Sequence, residues 1–196
     1  MTPVPRNVPS EVELVVAGAS AGAIEALRVV FAGLAARHPP LAIVVHVPAH
    51  TPSLLPSLFT GVSAVEAEDK QPLEPGTVYF APPDYHLLVE SGGLLSLNAD
   101  GPVNFSRPSI DVLFESAASA FGPRVVGVLL TGANSDGAEG LAAIHAAGGF
   151  TVVQHPDTAA APAMPQAALR RFTPDRVLDL LGIRDLLAEF GTRGTP

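Results

Sequence analysis

Val12-Glu13-Leu14-Val15-Val16-Ala17 runs straight into Gly18-Ala19-Ser20-Ala21-Gly22, and an Ala-rich stretch of helical period follows at once. An apolar, β-branched segment of this kind reads as a strand buried on both faces. Its glycine-bracketed exit places Ser20 on a strand-to-helix turn. In open α/β sheets ligands bind at such crests, at the carboxyl ends of the strands. Small neighbours let the backbone turn sharply and leave a hydroxyl exposed, as in a G-x-S-x-G nucleophile turn. A serine here could instead cap the helix that starts near Ala21. A second apolar run, Leu41–Val47, follows within a few tens of residues. Strand, helix, strand at this spacing is a βαβ unit with parallel strands and a right-handed crossover. His46 then ends its strand on the same sheet edge as Ser20.

The remaining pattern extends the alternation. Strand 1 is read as Glu11–Ala17, and its helix spans about Ala21–Arg37, with Ile24, Leu27, Val30, Phe31 and Leu34 on one face. His38-Pro39-Pro40 ends it. Thr51–Thr60 reads as helical and Ala64–Ala67 as a short strand. Val78–Ala81, Leu87–Glu90 and Leu94–Leu97 are short strands expected to be antiparallel, lying at the edge of the main sheet or covering it. Helices are expected over Ile110–Ala120, from near Ala138 to Ala147, and over Pro165–Arg171 and Ile183–Phe190. Strands are expected at Arg124–Leu130 and Phe150–Val153. The fold class is α/β: a doubly wound, mainly parallel sheet flanked by helices, with a small antiparallel hairpin region. Residues 1–11 read as a flexible tail, 12–190 as one domain and 191–196 as a C-terminal tail.

Composition removes several classes of function. The net charge of −8 argues against non-specific nucleic-acid binding and against attachment to anionic lipid. With no cysteine there is no disulfide, thiol nucleophile or Cys-ligated zinc. No apolar run is long enough to span a membrane, and residues 1–10 lack the apolar core of a signal peptide. A cytoplasmic location is compatible with all of this.

Thr131-Gly132-Ala133-Asn134-Ser135-Asp136-Gly137 forms a third polar loop at a strand's carboxyl end. One edge therefore carries Ser20, His46 and Asp136. A serine hydroxyl needs a base to become a nucleophile. Histidine takes and returns that proton near neutral pH, and a carboxylate holds the imidazole in the right tautomer. Asp136 could alternatively cap the helix starting near Ala138. His46-x-x-x-His50 has the spacing of a metal pair, but Pro48 stands between them, so no metal site is expected. Gly18–Gly22 is also loosely Rossmann-like. That reading wants an acidic residue about 20 positions on, and the second strand ends in Val45-His46-Val47-Pro48 instead.

Six ordered segments carry a family resemblance: Gly18–Gly22, His46-Val47-Pro48, Gly76–His86, Arg107–Phe114, Thr131–Ala138 and Gly148–Gln154. From about Leu14 to Leu180 the chain resembles the catalytic domain of the chemotaxis protein-glutamate methylesterases (CheB-type). The resemblance implies that Ser20 is the nucleophile, His46 the base and Asp136 its orienting carboxylate. It implies hydrolysis of glutamate γ-methyl esters on the cytoplasmic helical region of methyl-accepting chemotaxis receptors, deamidation of some receptor glutamines, and no cofactor. Oxyanion donors are expected among the backbone N–H groups near Ala21, Gly22 or Ala133. Arg107 is expected either to orient an acidic substrate helix or to tie its loop to a carboxylate such as Asp111.

Two departures from the family pattern stand out. Ala133-Asn134 occupies the place of the family's usual Met-Gly. The segment before the first strand is too short for the receiver domain that many members carry. Activity is then constitutive, controlled by a separate response-regulator partner, or turned to another purpose. The alternative reading is a catalytically weak docking or regulatory module on the same fold.

Overall fold

The computed structural model describes residues 6–47 and 54–192. Seven strands form one sheet: β1 (Leu14–Ala19), β2 (Leu41–Val45), β3 (Ser63–Glu66), β4 (Thr77–Phe80), β7 (Val125–Leu129), β8 (Phe150–Gln154) and β9 (Arg176–Leu178). Their spatial order is β3-β4-β2-β1-β7-β8-β9 and every pairing is parallel. Strands β5 (His86–Glu90) and β6 (Leu94–Asn98) form a separate antiparallel pair. The helices are α1 (Ala23–Phe31), α2 (Ile110–Phe121), α3 (Ala138–Ala146), α4 (Ala163–Arg171) and α5 (Leu180–Thr192).

Every residue of β1, β2, β7 and β8 is buried. Alternate side chains feed two cores, as the two-residue period requires. Leu14 and Val16 of β1 point to the side covered by α2, α3, α4 and the β5–β6 hairpin. Val15, Ala17 and Ala19 point to the side covered by α1 and α5. The sheet is thus wound on both faces, and β1 lies at its centre between β2 and β7.

Several expectations are corrected. Val78–Ala81 is not antiparallel: β4 is an interior parallel strand between β2 and β3. Among the described strands only β5 and β6 pair antiparallel, and the apolar Leu87, Val89 and Leu95 seat them on the α2 side. Helix α1 ends at Phe31, with turn hydrogen bonds from Gly33 and Leu34 to Val30 and Phe31. The Ala-rich run beyond it is helical in composition, but Gly33 lies so close to α5 that an added Cβ would come within 2.3 Å of Arg184. Strand β1 begins and ends later than expected and runs to Ala19. Strand β2 stops at Val45, so Ser20 and His46 each sit one residue past a strand end. Of the expected helix Thr51–Thr60, residues 51–53 lie outside the described residues, and the rest holds a single 3₁₀ turn, Pro56–Leu58. Strand β9 was not anticipated. Arg6, in the stretch read as a flexible tail, is bound by the Asp175 carboxylate and the Gly148 and Gly149 carbonyls. Helix α5 extends into the stretch read as a C-terminal tail.

Candidate active site

The three strand ends meet where the sheet's hydrogen-bond ladder runs out. Ala19 pairs with Val45 and Gly18 with Leu129. The ladder then continues one step on each side: His46 N donates to Ala19 O at 3.1 Å, and Ser20 N donates to Thr131 O at 2.9 Å. Ser20 and His46 are therefore lateral neighbours on adjacent strands, about 4.8 Å apart by backbone spacing. Asp136 reaches back from the loop after β7.

The turn that carries Ser20 depends on one glycine. Gly22 has φ +83°, a conformation that side chains resist. A Cβ there would also come within 2.7 Å of the Ala160 methyl. Helix α1 consequently starts with no side-chain cap, which removes the capping reading of Ser20. The turn is braced from β7, since Thr131 Oγ1 donates to Ala21 O at 2.8 Å. Ala23 N donates to Ser20 O. The Ser20 hydroxyl and the Ala21 and Gly22 amides take no hydrogen bond among the described residues. A hydroxyl with uncommitted N–H groups beside it at a helix start is the arrangement an oxyanion site needs.

His46 and Asp136 are joined directly. His46 Nε2 donates to Asp136 Oδ2 at 2.8 Å, with the imidazole 13% exposed and the carboxylate fully buried. This leaves Nδ1 as the nitrogen available to a hydroxyl. Asn134 Nδ2 lies 3.5 Å from it, and Asn134 Oδ1 accepts from Asp136 N at 3.2 Å. The serine–histidine contact itself is not closed. Such contacts often tighten only when substrate is bound.

Asp136 does cap a helix, though not the one the sequence suggested. Helix α3 has Gly137 at its N-cap position and no side-chain cap. The carboxylate instead sits at the N-terminus of α2, accepting from Ile110 N at 2.7 Å, Asp111 N at 3.1 Å and the Ser109 hydroxyl at 2.8 Å. Asn104 Nδ2 adds a contact of 3.2 Å. Burial works to raise the Asp136 pKa. The hydrogen bonds from His46, the Ile110 and Asp111 amides and Ser109 outweigh it, holding the carboxyl below its ordinary range. A buried anion so placed stays ionised and steadies an imidazolium.

A second carboxylate behaves in the opposite way. Asp111, also buried, accepts from Gly140 N at 2.7 Å and Asn104 Nδ2 at 2.6 Å. Burial pushes it up to about 6; the Gly140 amide opposes this and the Asp136 charge adds to it. Asn104 thus bridges the two carboxylates. His86, itself buried, supports Ser109, whose N–H donates to His86 Nδ1 at 3.1 Å.

Arg107 does not bond Asp111. Its Nη1 donates to the Ala99 and Asp100 carbonyls, both at 2.9 Å, and Nη2 stands 4.0 Å from Asp84 Oδ1. It nonetheless faces the site: a cavity of about 360 Å³ is lined by His46, Val47, Asp84, Phe105 and Arg107, among others. Ala133 is exposed on the loop after β7. His50, the other half of the metal-pair spacing, lies outside the described residues. Sequence reading missed Ser109, Asn104 and His86. A polar Ser109 directly before an apolar helix was a visible capping signal, but nothing local tied it to residue 136.

Comparison with known proteins points the same way as the geometry. A sequence model of the CheB methylesterase family matches residues 15–187. A Leptospira interrogans protein, provisionally named protein-glutamate methylesterase/protein-glutamine glutaminase, is 43% identical over 89% of this chain and 92% of its own. The protein-glutamate methylesterase/protein-glutamine glutaminase 1 of Anaeromyxobacter dehalogenans is 42% identical over 91% of this chain. There the match spans only 53% of the relative's length. The crystal structure of the Thermotoga maritima CheB methylesterase catalytic domain superposes with a TM-score of 0.84 at 28% identity, covering 91% of this chain and 98% of that one.

Proposed function

The chain belongs to the CheB methylesterase family, and from that premise we propose that it is a serine hydrolase. Its substrates are methyl esters on glutamate side chains, carried by the cytoplasmic helical region of methyl-accepting chemotaxis receptors, and it also deamidates receptor glutamines. The observation that carries this reading is the His46–Asp136 pair beside an unbonded Ser20 hydroxyl at the end of the central strand.

In the mechanism, Ser20 Oγ attacks the ester carbonyl as its proton passes to His46 Nδ1. Asp136 stabilises the imidazolium through Nε2–H. The Ala21 and Gly22 amides, with the Ala133 loop opposite, receive the oxyanion. Nδ1–H then protonates the departing methoxide, and methanol leaves. Water, activated by His46 in the same way, hydrolyses the acyl-enzyme to glutamate and frees Ser20. Arg107, held by two carbonyls on the cavity wall, contributes positive potential for acidic groups near the ester. No described helix is long and apolar enough to cross a membrane, and the proposed setting is the cytoplasm, with a separate response regulator as a controlling partner.

The Asn134 amide, 3.5 Å from Nδ1, is the feature that favours the alternative, a weakly active docking module, because it competes for the lone pair the base must offer. A fluorophosphonate probe with the purified protein decides between them. Labelling at Ser20 that collapses in His46→Ala establishes an activated nucleophile. A folded protein that takes no label supports the docking module and overturns the hydrolase.

A further inference from the structure

Phe105 is placed at high local cost. Its side chain lies wholly in water, with a relative exposure of 104%. The other strongly exposed apolar side chains described, Leu54 at 67% and Leu181 at 52%, keep a third or more of their surface covered. Its backbone is also unusual. Val103 and Ser106 exchange hydrogen bonds of 3.1 and 2.9 Å, closing a two-residue turn around Asn104 (φ +50°) and Phe105 (φ +61°). Such a turn suits Asn-Gly. An aromatic residue with positive φ at its second position is strained.

The two central residues face opposite ways. Asn104 turns inward and donates to both Asp136 and Asp111, so the turn is bolted to the orienting carboxylate. Phe105 turns outward onto the rim of the 360 Å³ cavity that also exposes His46 and Arg107. Neither burial nor backbone preference within the protein accounts for an aromatic ring there. Its surroundings place it beside whatever presents an ester to His46.

We propose that Phe105 is a specificity-determining residue of this site: its ring packs on the apolar flank of the substrate helix next to the esterified glutamate, and so favours protein esters over small ones. The proposal rests on the methylesterase reading above. A free glutamate ester has no helix flank to lay on the ring, whereas a helix that delivers its side chain into the cavity must lie across the rim. Burying a phenyl group corresponds to roughly a tenfold to hundredfold effect on recognition.

The test compares wild type, Phe105→Ala, Phe105→Leu and Phe105→Gly on two substrates, a methylated receptor cytoplasmic fragment and N-acetyl-glutamate γ-methyl ester. On the fragment, Phe105→Ala and Phe105→Gly are expected to lose kcat/KM at least tenfold, chiefly through KM, while Phe105→Leu keeps most of it. On the small ester a clearly smaller loss is expected, so that the ratio of kcat/KM on the fragment to that on the small ester falls by about fivefold or more in Phe105→Ala and Phe105→Gly. Phe105→Gly relieves the positive φ and should melt no lower than wild type, which separates lost recognition from lost folding. Unchanged kcat/KM on the fragment overturns the role of Phe105 and leaves the methylesterase reading standing. So does an equal loss on both substrates. Wild type that cleaves the small ester but not the fragment overturns the receptor reading itself, and this proposal with it.

Discussion

β1 and β7 lie side by side, and each gives way to a helix through a left-handed glycine, Gly22 with φ +83° and Gly137 with φ +93°. Neither helix has a side-chain cap. The polar groups at the two exits nonetheless differ. After β1, the Ser20 hydroxyl is left without a hydrogen bond among the described residues, and the amides beside it are uncommitted. After β7, the Asp136 carboxylate accepts from His46, Ser109, Asn104 and two amides of α2. The two proposed roles make opposite demands. A nucleophile must be free to move toward substrate. An orienting carboxylate must be ionised and immobile, and in a buried place only a full set of donors keeps it so.

The contrast can be broken most severely at the free side. Ser20→Ala should cut methanol release from a methylated receptor fragment by roughly 10⁴-fold or more. Its melting temperature should stay near wild type, because no hydrogen bond is lost. Turnover that survives the change would place the nucleophile elsewhere.

Asp136→Asn attacks the saturated side. The amide cannot accept from His46 and from every α2 donor at once. Activity should fall by roughly 10³–10⁴-fold, and urea unfolding should show a loss of about 1–3 kcal/mol. An Asp136→Asn enzyme of native stability and near-native rate would contradict the donor count.

Ser109→Ala removes one donor to the carboxylate and leaves the others. A threefold to tenfold drop in kcat is expected, with a stability loss of about 1–2 kcal/mol. A loss in KM alone would show that Ser109 acts on substrate rather than on Asp136.

The smallest effect concerns the neighbouring Asp111, and it sharpens the comparison through pH. The native Asp111 carboxyl, at about 6 against 3.8 for the ordinary group, holds a proton that the unfolded chain releases. Stability should therefore decline as pH rises from about 4 to 6, and Asp111→Asn should remove that decline. Asp136 has the opposite sign. Its depressed pKa contributes stability above the ordinary carboxylate range, which is lost as pH falls through the lower native value. Urea midpoints measured from pH 3 to 7 in wild type and Asp111→Asn separate the two.

Much of this was legible along the chain because its causes are local. The β-branched runs of β1, β2, β7 and β8 announce buried strands. Glycine at position 22 announces the sharp exit, and the spacing of β1 and β2 dictates a parallel crossover. Ser20, His46 and Asp136 are singled out by that reading, since Ser20 and His46 stand one residue beyond a strand end and Asp136 lies in the polar loop after β7. Where composition misled, packing was the cause. The Ala-rich stretch after Phe31 stops being helical where Gly33 meets Arg184. Arg176-Val177-Leu178 is too short and mixed to show a strand period, yet pairs with β8.

The sheet edge of the candidate site, and the strands that bring Ser20, His46 and Asp136 toward it, can be read from the chain alone, because strand periodicity and turn glycines act over a few residues. Which ring nitrogen of His46 meets Asp136, which helix Asp136 caps, and the place of Phe105 over the cavity come from the packing of the whole domain. Those outcomes join residues from 25 to 90 positions apart. Contacts at that range are set by how layers pack across a sheet, and no local pattern in the chain encodes them.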